Sequence, residues 1–385
     1  MPDPPRSDPV EQVGAIAREV AAVAADDVDA DARFPTETFD ALRAAGLLSV
    51  LLPESLGGEG ATLADVAPAV TELGRACASS GMVYAMHLIQ LACLTRHASS
   101  PALARFARRV ADEQLLLASA TTEAGVGGDV RTSLCAVTTG DGGYQLEKQA
   151  SVISYGEQAD AVFTTARRTP DSPASDQVLV VCTDPGLTLE ANGDWDTLGF
   201  RGTCSLGFLL VSTGDADLVF EASYGDISSH TMLPTSHLLW TSVWLGIAIE
   251  ATDRARRFVQ AEARKTPGAT PPSALRLAEL VAMLQQLTDL VGGGLRRYEA
   301  ITDDPDATSS MGFAVAMNTL KVTAALLVVE IVGKALLICG MAGYREGSPF
   351  SMGRLLRDAY GAAVMVNNDR INANSAQLLL VQREL

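Results

Sequence analysis

The chain changes character at residues 122–130, which read TEAGVGGDV. Before this glycine-rich segment, in residues 1–118, apolar positions recur at helical spacing. After it, in residues 119–227, short runs rich in β-branched and aromatic residues alternate with turn residues, and helical spacing returns over residues 228–385. The sequence therefore predicts an α+β protein with an N-terminal helical domain, a middle β domain and a C-terminal helical bundle.

Individual elements follow from the same spacing. The predicted helices are Val10–Ala25, Phe39–Leu48, Leu63–Leu94 with a break near 79–81, Ala102–Gln114, Leu238–Ala263, Pro272–Leu290, Met311–Cys339 and a last helix from about Leu355. The predicted strands are Val162–Ala166, Val178–Cys182 and Leu206–Ser212. Because the C-terminal helices are long and have apolar faces, they predict an antiparallel four-helix bundle.

Composition excludes several classes of protein. The 385 residues carry a net charge of −17, with 48% hydrophobic and 19% charged residues. This is a globular composition, and the chain is long enough for two or three domains. A nucleic-acid binder needs a basic surface to displace counterions, and an anionic membrane would repel this charge. We therefore expect no nucleic-acid partner and no membrane partner.

No signature of a metal site or of secretion is present. The six cysteines form no CxxC pair, and the four histidines lack metal-ligand spacing. Residues 1–9 lack the basic and apolar regions of a signal peptide. The apolar run Val322–Cys339 is interrupted by Glu330 and Lys334, so it predicts a buried helix. We expect a cytoplasmic protein with free thiols and no metal.

Several motifs are spread over nearly the whole chain. They are TEAGVGGDV at 122–130, VIS at 152–154, WDTLGFRGTCS at 195–205, RKTPG at 264–268, and ALLICGMAGY at 335–344 followed by RDA at 357–359. In this order they resemble the acyl-CoA dehydrogenases, and residues 34–60 resemble the N-terminal signature of that family. The resemblance implies that fold, with a β-barrel or sandwich between the helical domains.

The resemblance also implies FAD as the cofactor. The residues that it assigns to cofactor binding are Thr121, Thr122, Gly127, Gly128, Ile153, Ser154, Arg264, Leu337, Gly340, Met341, Asn368 and Arg370. In the family, the arginine at position 264 reaches the FAD pyrophosphate of a neighbouring subunit, so a homodimer or homotetramer is expected. Three of these residues depart from the family, because Gly128, Leu337 and Met341 stand where a serine, a glutamine and a glycine are usual.

The usual catalytic glutamate is missing. Dehydrogenation of a thioester needs a base for the α-proton, and a desolvated carboxylate suits this role. The resemblance puts that glutamate at Val366 or near Ser236, and residues 227–249 contain no carboxylate. Asp369 and His237 are the remaining candidates for the base, and a helix cap or ion pair is the structural alternative for Asp369.

From the sequence we expect an FAD-dependent oxidoreductase that dehydrogenates an acyl thioester, carried on CoA or on an acyl carrier protein, in secondary metabolism. Two alternatives stay open. A flavin monooxygenase or N-hydroxylase of the same fold activates oxygen and needs no glutamate. A non-catalytic subunit of a heteromeric dehydrogenase also lacks this base. The sequence contains no signature of an electron acceptor.

Overall fold

The computed structural model describes residues 9–127, 130–140, 142–265 and 267–381. Helices occupy both ends of the chain, and strands occupy the middle. The N-terminal helices are α1 (Pro9–Ile16), α2 (Ala22–Ala30), α3 (Thr36–Ala44), α4 (Leu63–Ala76), α5 (Ala78–His97) and α6 (Pro101–Glu113). A π-helical turn, Ala17–Ala21, joins α1 to α2, so the first predicted helix extends to Ala30.

The break in the helix predicted over Leu63–Leu94 lies earlier than the serine-glycine sequence suggests. Cys77 adopts an extended backbone (φ −145°) and separates α4 from α5. Gly81 has a different function, because a Cβ there would lie 2.8 Å from the Cα of Gly74. The prediction of a break at 79–81 was wrong by a few residues, since this glycine permits close helix packing instead of ending a helix.

In the described residues, seven strands form two sheets in the middle of the chain. They are β1 (Leu117–Ala120), β2 (Thr138–Gly140), β3 (Gly143–Ile153), β4 (Ala161–Arg167), β5 (Gln177–Thr183), β6 (Leu187–Asn192) and β7 (Leu206–Asp215). One sheet has the order β1-β4-β5, with β1 parallel to β4, and the other is antiparallel with the order β2-β3-β7-β6. The three predicted strands lie within β4, β5 and β7. The sequence-based prediction missed the other four strands, including β3, the longest.

The C-terminal part is a bundle of long helices. Its helices are α7 (Tyr224–Ile227), α8 (Leu233–Lys265), α9 (Ser273–Glu299), α10 (Pro305–Thr308), α11 (Met311–Cys339), α12 (Met341–Tyr344), α13 (Gly353–Val364) and α14 (Asn368–Val381). Helix α11 has the predicted bounds. The single last helix that was predicted is instead divided between α13 and α14 by the turn 365–367, where Val366 has a positive φ of 46°.

Two helices are long and apolar enough to cross a membrane by length and composition alone. They are the continuous helical segment Tyr224–Lys265 and helix α11. In the first, 83% of the most apolar window is buried inside the protein, so packing against other helices explains its composition. In α11 the buried share is 44%, which leaves an apolar face on the surface of the bundle.

Arginine and aspartate side chains connect the three parts of the chain. The Asp358 carboxylate of α13 accepts a 2.7 Å hydrogen bond from the Phe200 backbone N–H. The Arg357 guanidinium donates to Asp29 of α2 at 2.8 Å and to the Leu198 carbonyl at 3.1 Å. The segment 195–205 is therefore held between the N-terminal helices and the bundle. The domain boundaries at 118 and 227 stay a prediction.

Candidate functional site

The buried carboxylate of Glu123 holds the start of the segment 122–127 in place. Glu123 accepts hydrogen bonds from the Ser133 hydroxyl (2.7 Å) and from the backbone N–H groups of Leu134 (3.1 Å) and Cys135 (2.7 Å). The Lys148 ammonium lies 3.5 Å from the same carboxylate. Burial lowers the pKa of Lys148, and Glu123 opposes that shift. These contacts satisfy a buried charge and fix the start of the loop.

Beyond Glu123, glycines give the loop a shape that other residues rarely adopt. Gly125 and Gly127 have φ values of 93° and 60°. A Cβ placed on Gly127 would meet nothing within 4 Å, so the space beside it is open. Thr122 donates a 3.1 Å hydrogen bond to the Val152 carbonyl and joins the loop to the end of β3. Gly128 lies outside the described residues.

The predicted residues Ile153 and Ser154 continue this wall. Ile153 is fully buried, whereas the Ser154 hydroxyl accepts a 2.8 Å hydrogen bond from the Ser205 hydroxyl. The register between β3 and β7 shifts between Ala150 and Ile153, and this irregularity turns the chain out of the sheet. Loop 122–127 and the end of β3 thus form one continuous surface, which we call the cradle.

The bundle closes one side of the cradle through Arg370. This residue lies in the first turn of α14, and its guanidinium donates to the Gly127 carbonyl. This contact joins Arg370, a predicted cofactor residue of the bundle, to Gly127, a predicted cofactor residue of the β domain. Thr121 lies next to Thr122 at the edge of the same surface, where both side chains are half-buried.

Lys321, a residue that the sequence analysis missed, organises the turn 365–367. Its ammonium donates to the carbonyls of Ala362 (3.1 Å) and Val366 (2.6 Å) and to Asn368 Oδ1 (2.8 Å). The ion pairs of the described residues include none with Lys321, and its ammonium lies 5.7 Å from the Trp244 ring centroid. Burial lowers the pKa of Lys321 to about 8. A lysine within the first half of the apolar helix α11 was the available signal.

The two candidate bases, His237 and Asp369, have different surroundings. His237 is buried, and its Nδ1 lies 3.0 Å from the Met317 carbonyl, so Nδ1 carries the proton. Burial lowers the pKa of His237 to about 4, and Lys321 contributes to this shift. Asp369 starts α14, and its backbone N–H donates to Asn367 Oδ1 at 2.7 Å. No hydrogen bond among the described residues joins these two side chains.

The remaining predicted cofactor residues lie on the outer surface of the bundle. Arg264 is exposed at the end of α8. Leu337 and Met341 are 69% and 68% exposed, on either side of the tight turn at Gly340. In the described parts of the chain, no hydrogen bond connects this group to the cradle. A single chain therefore holds the predicted cofactor residues in two separate sets.

The order of these elements defines a fold in which a β domain lies between two helical domains. Residues 8–114 match the family described as acyl-CoA dehydrogenase, N-terminal domain, and residues 230–366 match acyl-CoA dehydrogenase, C-terminal domain. The chain belongs to the acyl-CoA dehydrogenase family.

Two relatives that match over most of this chain are named as nitrososynthases. The chain is 30% identical over 384 residues to an L-evernosamine nitrososynthase of Micromonospora sp., covering 92% of this chain and 85% of the relative. It is 28% identical over 367 residues to an amino sugar nitrososynthase of Streptomyces peucetius, covering 88% and 84% of the two chains.

Solved structures show the same fold. KijD3 in complex with dTDP superposes with a TM-score of 0.84 at 25% identity, covering 99% of this chain and 98% of that one. FMN-bound TdsC from Paenibacillus sp. A11-2 gives a TM-score of 0.84 at 21% identity, covering 98% of both chains. The prediction of an acyl-CoA dehydrogenase-like α+β fold is confirmed.

Proposed function

We propose that this protein is a flavin-dependent monooxygenase that oxidises the nitrogen of an amino sugar. The relatives named above as nitrososynthases support this reaction class over thioester dehydrogenation, the function expected first from the sequence. The thymidine diphosphate complex of KijD3 supports a nucleotide-linked sugar as the substrate class. The alternative stated at the end of the sequence analysis is therefore the better supported one.

The observation that carries the proposal is the chemistry of the turn 365–367. In a dehydrogenase this turn presents the carboxylate that removes the α-proton. Here the residue at that place is Val366, and its carbonyl accepts a hydrogen bond from the buried ammonium of Lys321. A cation beside the turn would also lower the pKa, and therefore the basicity, of a carboxylate placed there. His237, one of the two candidate bases, has a pKa lowered to about 4 and is a weak base at neutral pH.

The cradle fits a flavin. The open space beside Gly127, the hydroxyls of Thr122 and Ser154 and the guanidinium of Arg370 offer the close backbone approach and the hydrogen-bonding groups that its polar edge requires. Reduced flavin bound there would supply two electrons to dioxygen, so that one oxygen atom is transferred to the amine nitrogen and the other leaves as water. The chain itself binds and orients both reactants.

FMN is the proposed form of the flavin, in place of the FAD expected from the resemblance. The adenosine half of FAD would need hydrogen-bonding partners among the second set of predicted cofactor residues, on the outer surface of the bundle. Leu337 and Met341 present exposed apolar side chains there, without hydrogen-bonding groups.

Equilibrium titration should give FMN and FAD dissociation constants within about threefold of each other. Leu337→Gln should tighten FAD and leave FMN unchanged, and a wild-type preference for FAD above tenfold would contradict the proposal.

One experiment separates the proposed function from its rivals. The full chain is supplied aerobically with FMN, a flavin reductase, NADH and a dTDP-linked 3-amino deoxysugar, and the products are followed by mass spectrometry. A sugar product heavier by one oxygen atom is expected. Anaerobic bleaching of bound oxidised flavin by an acyl-CoA thioester would instead establish a dehydrogenase. A protein that binds neither FMN nor FAD would support the non-catalytic subunit.

A further inference from the structure

Helix α14 carries Arg370 to the cradle, although little of this helix is buried. The structure describes α14 in full, and Ile371 is the one buried residue among its 14. Leu379 and Leu380, near its end, are exposed. An element with so few buried apolar side chains has low local stability. Polar contacts must therefore hold α14 in place and fix where Arg370 lies.

Two polar side chains of α11 contribute such contacts. Asn318 is buried, and its amide nitrogen donates to Asn374 Oδ1 at 3.1 Å and to the Ser375 hydroxyl at 3.0 Å. Lys321 lies three residues further along the same face of α11, and its ammonium donates to Asn368 Oδ1 at 2.8 Å. Asn318 therefore holds the middle of α14, whereas Lys321 holds its first residue.

Lys321 also holds the turn that leads into α14. Its ammonium donates to the carbonyl of Ala362 at 3.1 Å and to that of Val366 at 2.6 Å. Ala362 lies in the last turn of α13, where carbonyls have no partner within the helix. The three donors of one ammonium group are thus shared among the end of α13, the turn 365–367 and the start of α14. This one side chain sets how the two helices are placed relative to each other.

Packing alone does not account for a lysine at this position. Lys321 is fully buried in an apolar helix, and the three acceptors of its hydrogen bonds are neutral oxygen atoms. A buried ammonium is costly, and an apolar side chain of similar volume at such a site is often as stable or more stable. The lysine therefore contributes something other than stability, and its hydrogen bonds indicate that this contribution is the geometry of the turn.

The effect of Lys321 reaches the cradle through α14. Arg370 follows Asn368 by two residues, and its guanidinium donates to the Gly127 carbonyl. Because one turn of a helix is a rigid unit, fixing Asn368 also fixes the position of Arg370. We propose that Lys321 is a positioning residue of the flavin site, which keeps Arg370 against the loop 122–127. The inference rests on the proposed function, because it takes the cradle as the place where the flavin binds.

The first test uses the flavin-free chain, so its result does not depend on what the cradle binds. Lys321→Met keeps the length of the side chain and removes the ammonium. Hydrogen exchange followed by mass spectrometry should show the amides of α14 exchanging about tenfold faster in this variant, with those of α4 unchanged, because α14 loses its anchor. Unchanged exchange in α14 would overturn the proposal. Lys321→Gln, which can satisfy two of the three acceptors, replaces the methionine variant if that variant does not fold.

The second test measures FMN affinity by fluorescence titration. Lys321→Met should weaken FMN binding about tenfold, because Arg370 is no longer aligned for a charge-assisted hydrogen bond. Lys321→Arg keeps a cation with several donors and should restore most of the wild-type affinity. Lys334→Met is the matched control, since Lys334 also lies on α11 and its ammonium is 3.9 Å from Glu279. This control should bind FMN as the wild-type chain does.

A double-mutant cycle separates positioning from a merely structural role. If Lys321 acts through Arg370, the double variant should bind FMN no more weakly than the weaker of Lys321→Met and Arg370→Ala. Losses that add, or no loss in either single variant while the wild-type chain binds FMN, would overturn this inference and leave the proposed function standing. A wild-type chain that binds no flavin would overturn the proposed function, and this inference with it, whatever the exchange of α14.

Discussion

At the scale of single residues, His87 links the N-terminal helices to the first strand of the β domain. Its Nε2 donates to the Leu48 carbonyl at 2.7 Å, and its Nδ1 accepts from the Leu117 N–H at 3.1 Å. This arrangement requires the neutral imidazole, since one nitrogen donates and the other accepts. Burial lowers the pKa of His87 to about 4.

The first prediction concerns acid stability. Because the folded pKa of His87 is lowered, the unfolded chain binds more protons between pH 6.5 and pH 4, so the stabilising effect is complete above pH 6.5 and is lost as the pH falls. Each such histidine contributes a slope of up to about 1.4 kcal/mol per pH unit. Denaturant unfolding at several pH values should show a shallower slope for His87→Gln, whose amide can replace both hydrogen bonds. An unchanged slope would exclude His87 as the cause.

The second prediction concerns backbone strain at Val366. This residue has a positive φ of 46°, which is unfavourable for a β-branched side chain. Val366→Gly should therefore raise the free energy of unfolding by about 1 kcal/mol. Val364→Gly is the control, because Val364 is the last residue of α13 and glycine there should be destabilising. If both substitutions lower the free energy of unfolding, the positive φ of Val366 does not strain the folded protein.

At the scale of elements, α8 and α4 cross at glycines. A Cβ on Gly246 would lie 2.2 Å from the Thr71 carbonyl oxygen, and one on Gly74 would lie 2.7 Å from that of Val243. Neither position can accept a side chain without moving a backbone. This close contact holds the N-terminal helices against the bundle.

The third prediction follows from this crossing. Gly246→Ala should destabilise the protein by about 1–3 kcal/mol, because the two helices must separate. Gly293→Ala in α9 is the matched control, where a Cβ would meet only the end of the Arg296 side chain at 4.0 Å. That variant should be neutral or more stable, since alanine favours helices. Thermal or denaturant unfolding of both variants gives the comparison.

At the scale of the whole molecule, helix α11 has an exposed apolar face. Leu326 and Leu337 are 60% and 69% exposed and lie on one side of the helix, with Gly333 open between them. Contiguous apolar surface of this kind marks protein interfaces. Since Leu337 belongs to the second set of predicted cofactor residues, we propose that a second copy of the chain covers this face and forms the expected dimer or tetramer.

The fourth prediction tests that assembly. Leu326→Glu should shift the protein to a smaller species in light scattering coupled to size-exclusion chromatography, because a buried unpaired carboxylate opposes association. Val23→Glu places the same charge on α2, where the valine is 77% exposed, and should leave the mass unchanged. A wild-type chain that is monomeric at micromolar concentration would contradict the proposal.

The sequence determined the order of the domains and the glycine-rich loop of the cradle. Helical periodicity over α11 and the β-branched runs of β4 and β5 are local patterns, and a local pattern is sufficient to predict an element. The missing glutamate was visible at Val366 in the same way, since the RDA motif at 357–359 sets its position. These features depend on neighbours in the sequence, so no tertiary contact was needed to find them.

Only the tertiary structure decided what the buried charged groups do. Strand β3 was missed because Lys148 stands at an inward position, where a charge argues against a strand until Glu123 is known to lie 3.5 Å away. Lys321 looks like an interruption of α11 until the turn 365–367 supplies its acceptors. Partners that are far apart in sequence meet only on folding, so these sites depend on the fold.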